Sequence, residues 1–347
     1  MNDILYMRRC LELAQMGLGH VSPNPLVGSV IVHRDKIIGE GYHHEYGSHH
    51  AEINALRSIK DQSLLKESTL YVSLEPCSHV GKTPPCADTI CSMSIPRVVI
   101  SCEDPNPLVS GKGTKKLRDA GIEVETGLLS KEYRWVNRRF FTFYEKQRPY
   151  IILKWAQSSD GFIDVTRKIN DPTINWISSP FNRTLVHKWR SEEMAILVGS
   201  KTVISDNPQL TVRFWKGKNP LRIVIQTNTA IDLSNHVFNQ EATTLRFTQN
   251  EHLKKINNVT TIVLNKEKNL LESMLAYLYQ EKIISILVEG GRYTLQSFIN
   301  KNLWDEARVF SGETTFENGI KAPVLPFPPD MEEHIANDLL RLYVNNS

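Results

Sequence analysis

His50-Ala51-Glu52, followed by Pro76-Cys77-Ser78-His79-Val80-Gly81-Lys82-Thr83-Pro84-Pro85-Cys86, puts one imidazole, two thiols and a carboxylate into two short runs, with another imidazole and a lysine between the thiols. One histidine and two cysteines make the three protein ligands of a catalytic zinc site, which keeps its fourth position for water. A glutamate that is not a ligand can take a proton from that water and pass it to a leaving group. Residues two apart on a helix do not share a face. His50 and Glu52 can therefore serve one centre only from the first turn, with the helix end pointing at the metal. Cys86 follows Pro84-Pro85 and is placed to begin a second helix. Two helix starts aimed at one point favour thiolates and a bound anion. Isolated cysteines are more often core filling, but three matching elements in order are not. A purely structural zinc would want a fourth ligand and leaves Glu52 without a task. Cys10, Cys91 and Cys102 read as packed or free thiols.

Working outward, the spacing of apolar residues predicts a helix over residues 3–16, a hairpin from strands 26–33 and 37–41, and a helix over 52–59. A buried strand over 69–74, a helix over 86–93, a strand over 97–101, a helix over 114–120 and a strand over 122–126 follow. The pattern breaks near 130–148, where residues 133–146 are aromatic and basic and read as an amphipathic connector ending at Arg148-Pro149. A second series opens with a strand over 150–155. It continues with strands over 195–198, 221–225, 260–263 and 284–288 and a helix over 293–299. Alternating strands and helices in both halves predict two layered α/β domains, 1–146 and 147–347.

Charge is nearly balanced, 41 Lys+Arg against 38 Asp+Glu, which does not suit a protein that coats a nucleic-acid backbone. No apolar run approaches the length of a membrane span, and MNDILYMRRC carries no secretory h-region. Five cysteines, an odd count, do not form a disulfide framework, so a reducing cytoplasm is expected.

The His-x-Glu…Pro-Cys order is that of the zinc deaminases. The Cys-x8-Cys spacing departs from the common Cys-x-x-Cys, and its insert carries His79, Lys82 and Thr83. Together with Asp104-Pro105-Asn106-Pro107 and Gly111-Lys112-Gly113, these motifs resemble the bifunctional deaminase/reductases of riboflavin biosynthesis. The resemblance spans nearly the whole chain. It implies a cytidine-deaminase-like α/β/α sandwich joined to a dihydrofolate-reductase-like α/β domain, with Zn2+ and NADPH as cofactors. It also implies a small-molecule substrate, 2,5-diamino-6-ribosylamino-4(3H)-pyrimidinone 5′-phosphate, and a homodimer through the reductase half. His50, Cys77 and Cys86 would hold zinc and Glu52 would shuttle the proton. Asn24, His43, Ala51, His79, Lys82 and Asn106 would contact substrate, with Lys82 near its phosphate.

The second half has no strand followed by Gly-x-Gly-x-x-Gly, so the Rossmann reading is weak. Polar residues punctuate its strand ends instead, and Gly290-Gly291 before a helix can offer backbone N–H groups to a diphosphate. The resemblance implies that Ala156, Trp176, Thr202, Asp206 and Gly291, Arg292, Tyr293, Thr294, Leu295, Gln296 and Ser297 line the cofactor. Arg190, Asp206, Leu210, Arg213 and Glu289 would line the sugar phosphate, with Lys154 and Asp206 polarising or protonating the reacting carbon. Ile174 stands where a serine often meets substrate in such enzymes, and Asp206-Asn207 replaces a frequent Asp-Asp pair. The rival reading is a nucleic-acid-editing deaminase with a C-terminal RNA-binding domain, for which only residues 135–148 speak.

Overall fold

In the computed structural model, which describes residues 2–78, 84–107, 109–167, 173, 175–253, 256 and 259–345, the chain divides into two units, Met1–Gln147 and Arg148–Ser347. The first is built on a five-stranded sheet of order β2-β1-β3-β4-β5. Its strands are β1 (Gly28–His33), β2 (Lys36–Tyr42), β3 (Ser68–Leu74), β4 (Arg97–Cys102) and β5 (Glu123–Thr126). The β1–β2 hairpin is antiparallel, as is β1 against β3, whereas β3, β4 and β5 run parallel.

Alternate residues of each strand go to opposite faces, as the strand period requires. Ile31, Leu70, Val72, Val98 and Ile100 pack with Leu56 of α2 (Ala51–Ser58), Ile90 of α3 (Cys86–Ser92) and Leu117 of α4 (Lys112–Asp119). Val30, Val32, Tyr71 and Val99 pack with Met7 and Leu13 of α1 (Asp3–Gln15) on the other face. This is the expected α/β/α sandwich. Residues 133–146, read as a connector, are not one. They fall in two helices, α5 (Ser130–Val136) and α6 (Arg138–Lys146), whose Tyr133, Phe140 and Phe141 are buried against Leu11 and Leu74. These three aromatic side chains are core, Lys131, Arg134 and Lys146 lie on the exposed side of the same short helices, and Arg139 is buried.

The second unit carries a nine-stranded sheet of order β11-β10-β9-β8-β12-β6-β13-β16-β15. The strands are β6 (Tyr150–Gln157), β8 (Ala195–Gly199), β9 (Leu221–Ile225), β10 (Thr244–Thr248), β11 (Val259–Val263), β12 (Ser285–Val288), β13 (Glu306–Ser311), β15 (Met331–Ile335) and β16 (Asp338–Val344). A two-stranded pair joins β7 (Phe162–Asp164) to β14 (Ile320–Lys321). Pairing is parallel from β11 to β13 and antiparallel for β13–β16 and β16–β15. Helices α9 (Leu270–Gln280) and α10 (Arg292–Asn300) bury Met274, Leu275 and Phe298 against one face. Helices α7 (Pro180–Glu192) and α8 (Ser200–Asp206) bury Val186, Trp189 and Val203 against the other. Helix α7 starts where Pro180 follows Ser179, whose hydroxyl accepts the Asn182 N–H at 3.3 Å. Among the described residues no helix is long and apolar enough to cross a membrane.

Candidate active sites

His50 is the N-cap of α2, Ala51 its first residue and Glu52 its second, so the helix meets the centre end-on. Cys77 follows the end of β3, and Cys86 opens α3 behind Pro85. The ligand atoms of His50, Cys77 and Cys86 all lie within 4.8 Å of one another. His50 Nδ1 is 3.6 Å from Cys77 Sγ and 3.3 Å from Cys86 Sγ. Tetrahedral zinc with ordinary Zn–S and Zn–N bonds separates such donors by about 3.5 Å, so the three atoms fit that ion. Cys86 N–H donates to Cys77 Sγ at 3.3 Å. The Cys86 hydrogen bonds, with help from His50, pull Cys77 well below the ordinary thiol range. Glu52 is buried beside them, and burial pushes its carboxyl up. A carboxylate held that basic is suited to accept and return a proton.

His43 and Asn24 lie together. The buried His43 ring donates from Nδ1 to the His49 carbonyl at 3.0 Å, which leaves Nε2 to accept the Asn24 amide at 3.1 Å. The His43 and His50 rings meet edge to face at 5.5 Å. Ala51 is fully buried, and Asn106 sits in the loop after β4 with its N–H on Asp104 Oδ1 at 2.8 Å. His79, Lys82 and Thr83 lie outside the described residues, as does Ile174.

Sequence reasoning missed Glu75. Its buried carboxylate accepts the backbone N–H groups of Asp104 (3.3 Å), Gly111 (2.9 Å) and Thr114 (2.9 Å). It thereby caps α4 and ties the 104–114 loop to the strand end that carries Cys77. A buried glutamate directly before Pro-Cys was the available signal. Gly113 completes this joint, because a Cβ there would fall on the Pro76 carbonyl oxygen. Gly113→Ala is therefore expected to cost about 1–3 kcal/mol, read by denaturant unfolding, and to weaken zinc retention. Wild-type stability and metal content in that variant would refute the tight contact.

In the second unit a cleft of about 1170 Å³ opens where the parallel strands end, the usual ligand side of such sheets. Its lining includes Lys154, Ala156, Trp176, Thr202, Asp206, Glu289 and residues 291–297. The Leu295 side chain is mostly spent on the core. Gly291 adopts φ +37 as N-cap of α10 and has no side chain with which to cap it. At Gly290 a Cβ would strike the backbone of Val198 and Gly199, so only glycine lets the starts of α8 and α10 come this close.

The side chains of Arg190 and Leu210 are engaged inside the protein. Arg190 is committed to Glu289 through Nε (2.8 Å) and Nη2 (2.9 Å), with Nη1 on the Thr211 carbonyl at 3.2 Å. Leu210 is 2% exposed, and its side chain is core. Arg213 is exposed. Lys154 Nζ lies 3.8 Å from Glu289. Burial pushes Glu289 up, but Arg190 and then Lys154 hold its carboxyl down at about 2. Burial lowers Lys154. Asp206 pairs with Arg167 at 3.0 Å, and burial raises its carboxyl. Arg167, which also pairs with Asp164 at 2.8 Å, had no place in the sequence reading.

The chain matches two family descriptions: "Cytidine and deoxycytidylate deaminase zinc-binding region" over residues 1–102 and "RibD C-terminal domain" over residues 149–316. It is 42% identical over 322 residues to the riboflavin biosynthesis protein RibD of Aquifex aeolicus, covering 92% of this chain and 89% of that protein. It is 37% identical to the Escherichia coli RibD, covering 89% and 87%. The solved diaminohydroxyphosphoribosylaminopyrimidine deaminase/5-amino-6-(5-phosphoribosylamino)uracil reductase of Thermotoga maritima is 36% identical, covers 98% of this chain and 97% of that one, and superposes with a TM-score of 0.86. Acinetobacter baumannii RibD is 30% identical, covers 99% of each chain and gives 0.89. A RibD domain occupies the second half, where the editing-deaminase reading required an RNA-binding module, and that rival is not favoured. Similarity of this extent along both halves means that the chain belongs to the RibD family, the bifunctional deaminase/reductases of riboflavin biosynthesis.

Proposed function

We propose that residues 1–146 deaminate 2,5-diamino-6-ribosylamino-4(3H)-pyrimidinone 5′-phosphate and that residues 147–347 then reduce its ribosyl group to ribityl. The observation that carries the first step is the convergence of His50, Cys77 and Cys86 with Glu52 buried beside them. Zinc held by these three residues would supply a water activated at neutral pH. Glu52 takes the water's proton and delivers it to the exocyclic nitrogen, which leaves as ammonia while oxygen remains on the ring carbon. Asn24, with its amide nitrogen turned to His43, presents its carbonyl oxygen for an N–H of the heterocycle. Ala51 and Asn106 complete the pocket wall, and His79 and Lys82 are proposed as further contacts.

For the second step NADPH, held in the cleft lined by Thr202 and residues 291–297, would supply a hydride to C1′. The start of α10 at Gly291 and the glycines packed at it suit the cofactor diphosphate. Lys154 and Asp206 are proposed to polarise or protonate the reacting centre. Arg213 is proposed as the phosphate contact, with Arg190 and Glu289 as a buried frame behind it. We further propose a homodimer through the second unit, no nucleic-acid partner, and a cytoplasmic location, which the five free cysteines suit.

Mass spectrometry of the product tests the reading. Without NADPH the diaminopyrimidine should gain one oxygen in place of NH and release ammonia. With NADPH it should also gain two hydrogens. A reduced product formed without NADPH, or no ammonia release, would overturn it.

A further inference from the structure

Residues 207–219 form no regular secondary structure beyond bends, yet four consecutive residues in this stretch are individually tied down. Leu210, at φ +57, buries its side chain in the core between β8, β9 and α8. The Thr211 carbonyl accepts from Arg190 Nη1 at 3.2 Å. Val212 N–H donates to Asn219 Oδ1 at 2.8 Å. Arg213 N–H donates to His187 Nδ1 at 2.9 Å. An irregular segment must satisfy each backbone group one by one, and here two of the anchors, His187 and Arg190, come from one face of α7 at i and i+3.

We propose that His187 is a positioning residue for the reductase step. By accepting the Arg213 N–H it straps residues 210–214 to α7 and fixes where the Arg213 guanidinium meets the substrate phosphate.

The ring is buried, and its edge packs on Phe214 at 4.8 Å between centroids. An Nδ1 that accepts from a backbone N–H must be unprotonated, which places the ring proton on Nε2. Burial, then Arg190 and Arg213, push His187 down to about 4, so the acceptor survives throughout the neutral range. Arg213 itself reaches Gln209 Oε1 at 2.6 Å, just before the strapped segment, and Thr211 Oγ1 at 3.2 Å within it. Its direction is therefore set by the segment. A planar donor selects a phosphate by geometry, so loss of the strap lowers affinity without touching the reacting carbon.

This inference rests on reading Arg213 as the phosphate contact, and the test separates the two. The full-length enzyme is given the deaminated 5′-phosphate and NADPH. Arg213→Ala should raise the substrate KM with kcat little changed. His187→Phe keeps the ring and its contact with Phe214 but removes the acceptor. It should raise the same KM on the order of tenfold, the effect of one misplaced charge-assisted contact, and leave the NADPH KM unchanged. His187→Asn, whose Oδ1 can replace Nδ1, should restore most of the loss. The double variant should be no worse than Arg213→Ala alone, which a merely structural role would not produce. A wild-type KM in His187→Phe, an Asn variant as poor as Phe, or additive losses in the double variant would each overturn the strap. If Arg213→Ala leaves KM unchanged, the phosphate reading fails and the strap falls with it. Should the Phe variant not fold, His187→Leu enters the same cycle.

Discussion

Glu52→Gln is expected to keep its zinc and to release ammonia about 100-fold more slowly or worse, the usual loss when a general acid/base is removed. Glutamine preserves the size of the side chain and fills the same buried space beside His50 and the two thiols. It cannot take a proton from water. The carboxyl is held basic by burial, which is the condition for it to accept that proton and give it up again to nitrogen. Metal analysis and ammonia release on one preparation decide the matter. A zinc-replete variant with near-wild-type deamination would move the proton to another residue.

The second expectation concerns the metal. Cys77→Ser and Cys86→Ser should each lose most of the roughly one zinc per chain that three ligands and a water support, and deamination with it. Cys91→Ser should retain both, because Cys91 lies outside the group of converging donors. Chelation of the wild-type enzyme should act like the ligand substitutions on ammonia release. It should spare NADPH oxidation when deaminated substrate is supplied, since the cleft in the second unit draws its lining from that unit alone. Full metal content in both serine variants would sink the ligand assignment. Loss of the reductase step on chelation would show that the two sites are not independent.

Where side-chain pattern and environment agreed, the fold was readable. β3 is buried along its whole length and was visible from Leu70-Tyr71-Val72 and Leu74, and the β1–β2 hairpin was visible from its β-branched runs across a polar turn. β10 was missed because Arg246 and the terminal threonines are buried in it, so its sequence lacks an apolar signature. β13 hides behind Glu306 and Arg308, which neutralise each other at 2.6 Å inside the protein. β15 and β16 follow Gly319, where the family resemblance fades, and β15 is mostly exposed. The converging donors His50, Cys77 and Cys86 were legible because they sit in two short motifs. The Arg190–Glu289 pair and the His187–Arg213 contact join residues far apart in the chain, and no local pattern announces them. The inward turn of the Leu210 side chain was hidden from the sequence for a related reason. Its positive φ turns the side chain inward, which composition does not reveal.

The place of β6 in its sheet bears on how the polypeptide is assembled. In the first unit every strand finds its neighbours within residues 28–126, so that sheet can close while the rest of the chain is still being made. β6 opens the second unit yet lies between β12 and β13, with Tyr150 against Ser285 and Ile152 against Glu306. Its first strand waits for partners that emerge long after it, and parallel pairing over such a separation carries a large loop-closure entropy before any contact compensates for it. The deaminase half can therefore reach its native sheet on local contacts, whereas the reductase half holds an apolar strand without its sheet neighbours until the ribosome has passed β12, an interval in which chaperone protection matters most.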